Sequence, residues 1–159
     1  MDPYQLDDVD ERLLSLLQEN GRYTATDLAE RIGVSDNTVH NRMRRLEEAG
    51  VITGYTATID HKRTELSLYF LFTCTVRISR RSEMANEALA IPRVLEVTEL
   101  MTGERNLLIK VVGAKDVEIS RTAERLDELG IEVNDEDLIR AEHAVSLDYV
   151  RLRGLDSEE

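Results

Sequence analysis

Cysteine occurs once, at Cys74, so no intramolecular disulfide can form, and no Cys/His cluster has zinc-ligand spacing. No apolar run approaches the roughly 20 residues that cross a bilayer. The opening MDPYQLDDVDER lacks the basic and apolar pattern of a signal peptide. These absences lead us to expect a cytoplasmic protein with no membrane partner, no metal and no cofactor. Lysine is also scarce: only Lys62, Lys110 and Lys115 are lysines among 20 basic residues. They stand against 32 acidic residues, for a formal net charge of -12. Excess carboxylate with little lysine resembles the proteins of salt-loving microbes, whose negative surfaces keep them soluble in molar salt. An acidic protein from a moderate habitat is the alternative. No internal repeat or low-complexity tract is present.

What remains is a chain of 159 residues, 42% hydrophobic and 33% charged, the balance of a soluble globular protein with one domain or two small ones. The first segment reads as three helices. Asp7 caps a helix with an apolar stripe of Val9, Leu13, Leu14, Leu16 and Leu17, ended by Asn20-Gly21. Thr24, with Asp27 three residues on, starts a second helix that buries Leu28, Ala29 and Ile32 and stops at Gly33. Ser35 caps a third, in which Val39, Met43 and Leu46 repeat at helical spacing before Ala49-Gly50. So short a glycine-containing connection makes the last two helices a helix-turn-helix.

After Gly50 the period changes. VITGYTATID alternates as a strand does, and HKRTE reads as a linker. LSLYFLFTCTVRI alternates with Leu68, Phe70, Phe72, Cys74, Val76 and Ile78 on one face. The helix SEMANEALAI then stops before Pro92. Strands VLEVTELM and NLLIKVV flank the turn TGER, Asp116 precedes the helix VEISRTAERLDELG, and LIRAEHAVSLDYV forms a last strand. The order β-α-β-β-α-β is ferredoxin-like, so the expected class is α+β. We place a helix-turn-helix domain at 1–52, a linking strand and hinge at 53–65, the ferredoxin-like domain at 66–152 and an acidic tail at 153–159.

The charge is unevenly placed. Thr38 to Leu46 contains three arginines and no acid. With Val39, Met43 and Leu46 inward, Asn37, Asn41, Arg44 and Glu48 point outward, flanked by His40 and Arg45. Arginine bridges guanine N7 and O6, and asparagine bridges adenine N6 and N7, so this face carries the chemistry of major-groove readout of double-stranded DNA. The amides of Asp36 to Thr38 behind Ser35, those after Thr24, and Arg22 are candidate phosphate contacts. Arg42 projects beside the apolar stripe and is expected to be packed, paired with a carboxylate or clamped on phosphate. The bland alternative is a solvated polar face.

The residues LDDVDERLLSLLQENGR and LAERIGVSDNTVHNRMRRLEEAGVITGYTATID resemble the leucine-responsive/AsnC (Lrp/AsnC) family of bacterial and archaeal transcription regulators, densely over 6–60 and by element order over 66–150. The resemblance implies a linking strand that pairs across a dimer, a ferredoxin-like sensor, assembly to dimers and octamers, and a small-molecule effector such as an amino acid. It places the effector loop at Thr102, Gly103, Glu104, Arg105 and Asn106. The family pattern there is T-G-D-x-D, so Asn106 replaces an acid that would neutralise an ammonium group. Gly103 suits a turn needing positive φ.

Other residues carry weaker signals. Cys74 reads as a buried small hydrophobe. His143 shares strand parity with Ile139, Ala141, Val145 and Leu147 and is expected on a packed or interface surface. Asn134 to Asp137 reads as a solvated acidic loop without the spacing of a calcium site. Two other functions are alternatives: a nucleoid-packaging protein with little sequence preference, and a haem-precursor decarboxylase like one branch resembling this family. The latter needs a pocket rich in His, Tyr and Arg, and His143, Tyr149 and Arg105 are scattered in sequence. The expectation is a sequence-specific regulator and no enzyme.

Overall fold

The computed structural model describes residues 4–147. The chain divides into two compact units, one running to Thr58 and resuming at His143, the other spanning Ile59–Glu142.

In the first unit lie α1 (Asp8–Glu19), α2 (Ala25–Ile32) and α3 (Asp36–Glu48). Each starts where a short side-chain oxygen accepts amides that helix geometry leaves without partners. Asp7 Oδ1 accepts from the N–H groups of Val9 and Asp10, both at 3.0 Å. Thr24 Oγ1 accepts from Asp27 at 3.1 Å, and Ser35 Oγ from Thr38 at 3.2 Å. Such caps contribute about 1 kcal/mol each. Gly33, at φ +84°, takes the left-handed conformation that ends α2 and turns the chain into α3. The three helices enclose Leu13, Leu14, Leu28, Ala29, Ile32, Val39 and Leu46, with Met43, Val51 and Ile52 packed at the edge. Burying one such leucine contributes about 2 kcal/mol.

In the second unit lie β1 (Leu68–Thr75), α4 (Arg81–Leu89), β2 (Val94–Glu99), β3 (Leu107–Gly113), α5 (Asp116–Glu128) and β4 (Glu132–Leu138). The sheet order is β2-β3-β1-β4, antiparallel throughout. Alternation sends Phe72, Cys74, Leu107, Ile109 and Val111 to one face, where they meet Met84, Ala85 and Ala88 of α4 and Ile119 and Leu126 of α5. On the other face Lys110 Nζ lies 3.0 Å from Glu96 and 2.9 Å from Glu142. The architecture is the α+β combination of helix-turn-helix and ferredoxin-like sheet that the element order implied.

Several local expectations differ from what the structure places. The final strand is Glu132–Leu138, ahead of the expected LIRAEHAVSLDYV, so Asn134 to Asp137 lie in β4 and not in a loop. Fully buried Ile131 and core-packed Val133 anchor this register, and the acids are tolerated because β4 is an edge strand open to water. Residues 139–147 carry no strand and His143 is exposed; Asp148, Tyr149, Val150 and the 153–159 tail lie outside the described residues. Within one copy Thr53–Asp60 pairs with none of the described residues, so the expected linking strand has no ladder partner here. Ile78 leaves the β1 face, 62% exposed, since the chain turns into a 3₁₀ segment at Ile78–Arg80. Helix α5 begins at Asp116 itself and not after it, with Lys115 at the cap position, and Glu118 accepts the N–H groups of Ala114 and Lys115 at 2.7 and 3.2 Å. Finally, Gly103 does not take positive φ; the left-handed residue of its loop is Arg105, at φ +50°.

Candidate nucleic-acid interface

Helix α3 presents Asn37, His40, Asn41, Arg44 and Arg45 to solvent, while Val39 and Leu46 are buried behind them. The 3.6-residue period therefore separates core from outward face as the sequence indicated. Along that face Arg44 Nη2 donates to Asn41 Oδ1 at 3.1 Å, and Arg44 Nε stands 3.9 Å from Glu48 Oε1. Of the three arginines between Thr38 and Leu46, Arg42 is withdrawn from the face. Its Nη1 pairs with Asp7 and, at 3.2 Å, with the buried carboxylate of Asp10. Arg42 thus ties α3 to the cap of α1, and Arg44 and Arg45 remain as the outward cations. The N–H bond from Asp10, ahead of the contact with Arg42, holds the Asp7 carboxyl below its usual range.

The helix starts are partly occupied by the chain's own acids. Asp27 Oδ2 accepts the Thr24 hydroxyl at 2.6 Å and the Thr24 N–H at 2.8 Å, which lowers the Asp27 pKa. The Asp27 carboxylate thus takes the Thr24 N–H and hydroxyl, and the Ala25 and Thr26 amides that follow Thr24 are not among its partners. At α3, Thr26 Oγ1 donates to Asp36 Oδ2 at 2.7 Å, linking the first turns of the two helices. The Asp36 and Asn37 amides precede the first intrahelical bond, from Val39 N to Ser35 O at 3.1 Å. Thr38 is half-buried, with its hydroxyl 2.9 Å from Ser35 Oγ. Arg22 is exposed just before α2, and its N–H donates to Asn20 Oδ1 at 3.0 Å.

Sequence reasoning left out two contacts at the far end of α3. Glu48 faces Arg44, and Tyr55 donates to Glu47 Oε1 at 2.9 Å. Burial and the Glu47 carboxylate push the Tyr55 hydroxyl up to about 12. The i, i+4 spacing of Arg44 and Glu48 was a legible signal; the Tyr55 contact had none.

The loop between β2 and β3 is ordered by its neighbours. Thr102, Gly103, Glu104 and Arg105 are exposed, whereas Asn106 is fully buried. Asn106 Oδ1 accepts from Val76 N–H at 2.9 Å, and Nδ2 donates to Val76 C=O at 2.8 Å and Gly103 C=O at 3.4 Å. Only a side chain that both donates and accepts can close this pair, which an ionised aspartate cannot do. Arg105 N–H donates to Thr75 Oγ1 at 2.9 Å, and its guanidinium pairs with Asp135 on β4. Arg105 therefore brings an acid from a distant strand to the loop. Elsewhere, burial pushes the Cys74 thiol up to about 12. Among the described residues no group of His, Cys, Asp and Glu is arranged to hold a metal ion, and no helix is long and apolar enough to cross a membrane.

Residues 6–53 match the profile described as winged helix-turn-helix DNA-binding. The chain is 35% identical over 113 residues to the leucine-responsive regulatory protein of Rhizobium meliloti, covering 68% of this chain and 70% of that one. It is 30% identical over 106 residues to the HTH-type transcriptional regulator FL11 of Pyrococcus horikoshii, covering 67% of this chain and 70% of that one. Among solved structures, the transcriptional regulator NMB0573 of Neisseria meningitidis in complex with L-Met superposes with a TM-score of 0.76 at 28% identity, over 93% of this chain and 99% of that one. The leucine response regulatory protein LrpA of Mycobacterium tuberculosis does so with a TM-score of 0.76 at 25% identity, over 88% and 96%. With the outward face of α3, the α+β architecture and these likenesses together, the chain belongs to the Lrp/AsnC family of helix-turn-helix transcriptional regulators.

Proposed function

We propose that the protein regulates transcription by binding specific duplex sequences as a dimer or larger assembly. The observation that carries this reading is the α3 face itself: exposed amide, imidazole and guanidinium groups over a buried apolar stripe, in a chain of net charge -12. Asn37, His40, Asn41 and Arg44 reach base edges, while Arg22, Thr24, Ser35, Asp36, Thr38 and Arg45 set register on the phosphates. Within VITGYTATID, Thr53–Asp60 pairs with no strand among the described residues and is suited to pair with a second copy, and a dimer addresses two half-sites one helical turn apart. The loop Thr102–Asn106 forms the effector site, with buried Asn106 shaping it through Val76 and Gly103 and the Arg105–Asp135 ion pair at its edge. The L-Met complex of the Neisseria relative supports a small amino-acid effector.

Genome-wide occupancy of the tagged protein at the salt of its own host tests the reading. Sharp promoter peaks sharing a palindromic motif are expected. Broad, featureless occupancy favours packaging of DNA and overturns specific regulation.

A further inference from the structure

We infer that Asn41 and Arg44 act as one reading unit that presents hydrogen-bond donors, and that it selects guanine over adenine. The inference rests on the DNA-binding role proposed above and assigns its base preference. An asparagine reads adenine by using both ends of its amide: Oδ1 accepts from N6 while Nδ2 donates to N7. Here Asn41 Oδ1 already accepts from Arg44 Nη2 at 3.1 Å. An adenine amino group approaching that oxygen meets a positive guanidinium, so the adenine pairing is disfavoured. Oδ1 keeps a second lone pair, but beside the guanidinium charge, so the strongest offer of the pair is its donors, the Asn41 NH₂ and the Arg44 N–H groups turned away from Asn41. The base edge that supplies adjacent acceptors and no donor is the N7 and O6 edge of guanine.

Glu48 completes the arrangement. Residues 41, 44 and 48 fall at i, i+3 and i+7 on one edge of α3, and the Glu48 carboxylate stands 3.9 Å from Arg44 Nε. With both side chains exposed, it biases the guanidinium weakly along the helix face, and its negative charge disfavours a phosphate in that position. Arg44 is therefore oriented toward a base edge, in contrast to Arg45, which has no such carboxylate within salt-bridge distance among the described residues.

The test is selection from a randomised duplex pool with the full-length wild type, N41A, R44A, the double variant and R44K, each first checked for helical content. The wild type is expected to enrich a half-site with guanine at neighbouring positions, and either single alanine flattens both. Each single alanine lowers affinity for the enriched site on the order of tenfold, and the double variant loses little more, because the two act together. R44K keeps the charge but not the fork, so it retains the salt dependence of binding and loses the guanine preference. An enriched adenine that N41A removes and R44A leaves intact overturns the inference, as do losses that multiply in the double variant. A wild type that enriches no motif overturns the specific-regulator reading and the inference with it, and that result is distinct from either of the others.

Discussion

Replacing Arg42 with methionine keeps the length of the stem and removes the guanidinium that joins α3 to α1. The cost follows from what is left behind. Breaking one side of a fully buried ion pair costs roughly 3–5 kcal/mol, because the remaining charge has no compensation. In this protein the Asp10 side chain is 1% exposed, Arg42 24% and Asp7 49%, so only one of the two acids is fully out of water. Asp10 Oδ2 also keeps the Asp7 N–H at 3.3 Å. These discounts bring the expected destabilisation of the three-helix unit to about 2 kcal/mol. Amide hydrogen exchange in α1 and α3 reads this directly, as acceleration on the order of 30-fold, while exchange in β3 stays unchanged. The D10N variant closes a double-mutant cycle: R42M on the D10N background should cost clearly less than R42M alone. The pH dependence carries a sign. Asp7 has a folded pKa below its ordinary value, so its contribution is present above the unfolded pKa and is lost as pH falls through the folded one. Since the Asp10 N–H is the larger cause of that shift, R42M should reduce acid sensitivity without abolishing it. Exchange rates within twofold of wild type, or strictly additive losses with D10N, would refute the reasoning.

Two further outcomes follow from buried groups. Asn106→Ala leaves both backbone groups of Val76 without partners and opens a void, so a loss of about 3 kcal/mol is expected in urea unfolding of the second unit; an unchanged midpoint contradicts the role given to Asn106. Cys74 has its thiol pushed up to about 12, so at pH 8 iodoacetamide should label it only as the protein unfolds. Equal labelling in buffer and in urea, followed by mass spectrometry, would refute its inertness.

Much of the helix-turn-helix was determined by sequence alone. Its signals are local: Asp7, Thr24 and Ser35 cap amides within three residues, Gly33 accepts the turn, and the apolar stripe repeats within one helix. The outward placement of Asn37, His40, Asn41, Arg44 and Arg45 followed from the same period. The order of the sheet elements was also legible, because alternation in β1 and β3 marks a half-buried surface wherever its partner lies.

Tertiary structure decided what depends on a distant partner. The 138–150 segment alternates better than Glu132–Leu138, yet β4 is the acidic stretch, because pairing with β1 and the burial of Ile131 set the register. The alternation of VITGYTATID carried no information about whether a partner strand was present. The hydrogen bonds that Asn106 makes with Val76, thirty residues away, had no local signal. Arg105, not Gly103, takes the left-handed conformation, since contacts with Thr75 and Asp135 hold it there. Arg42 found its acids on α1, and Arg44 found Asn41 on its own helix. Caps and periods lie within one turn of the residues they govern. Pairing, burial and charge partnership arise only when remote segments meet.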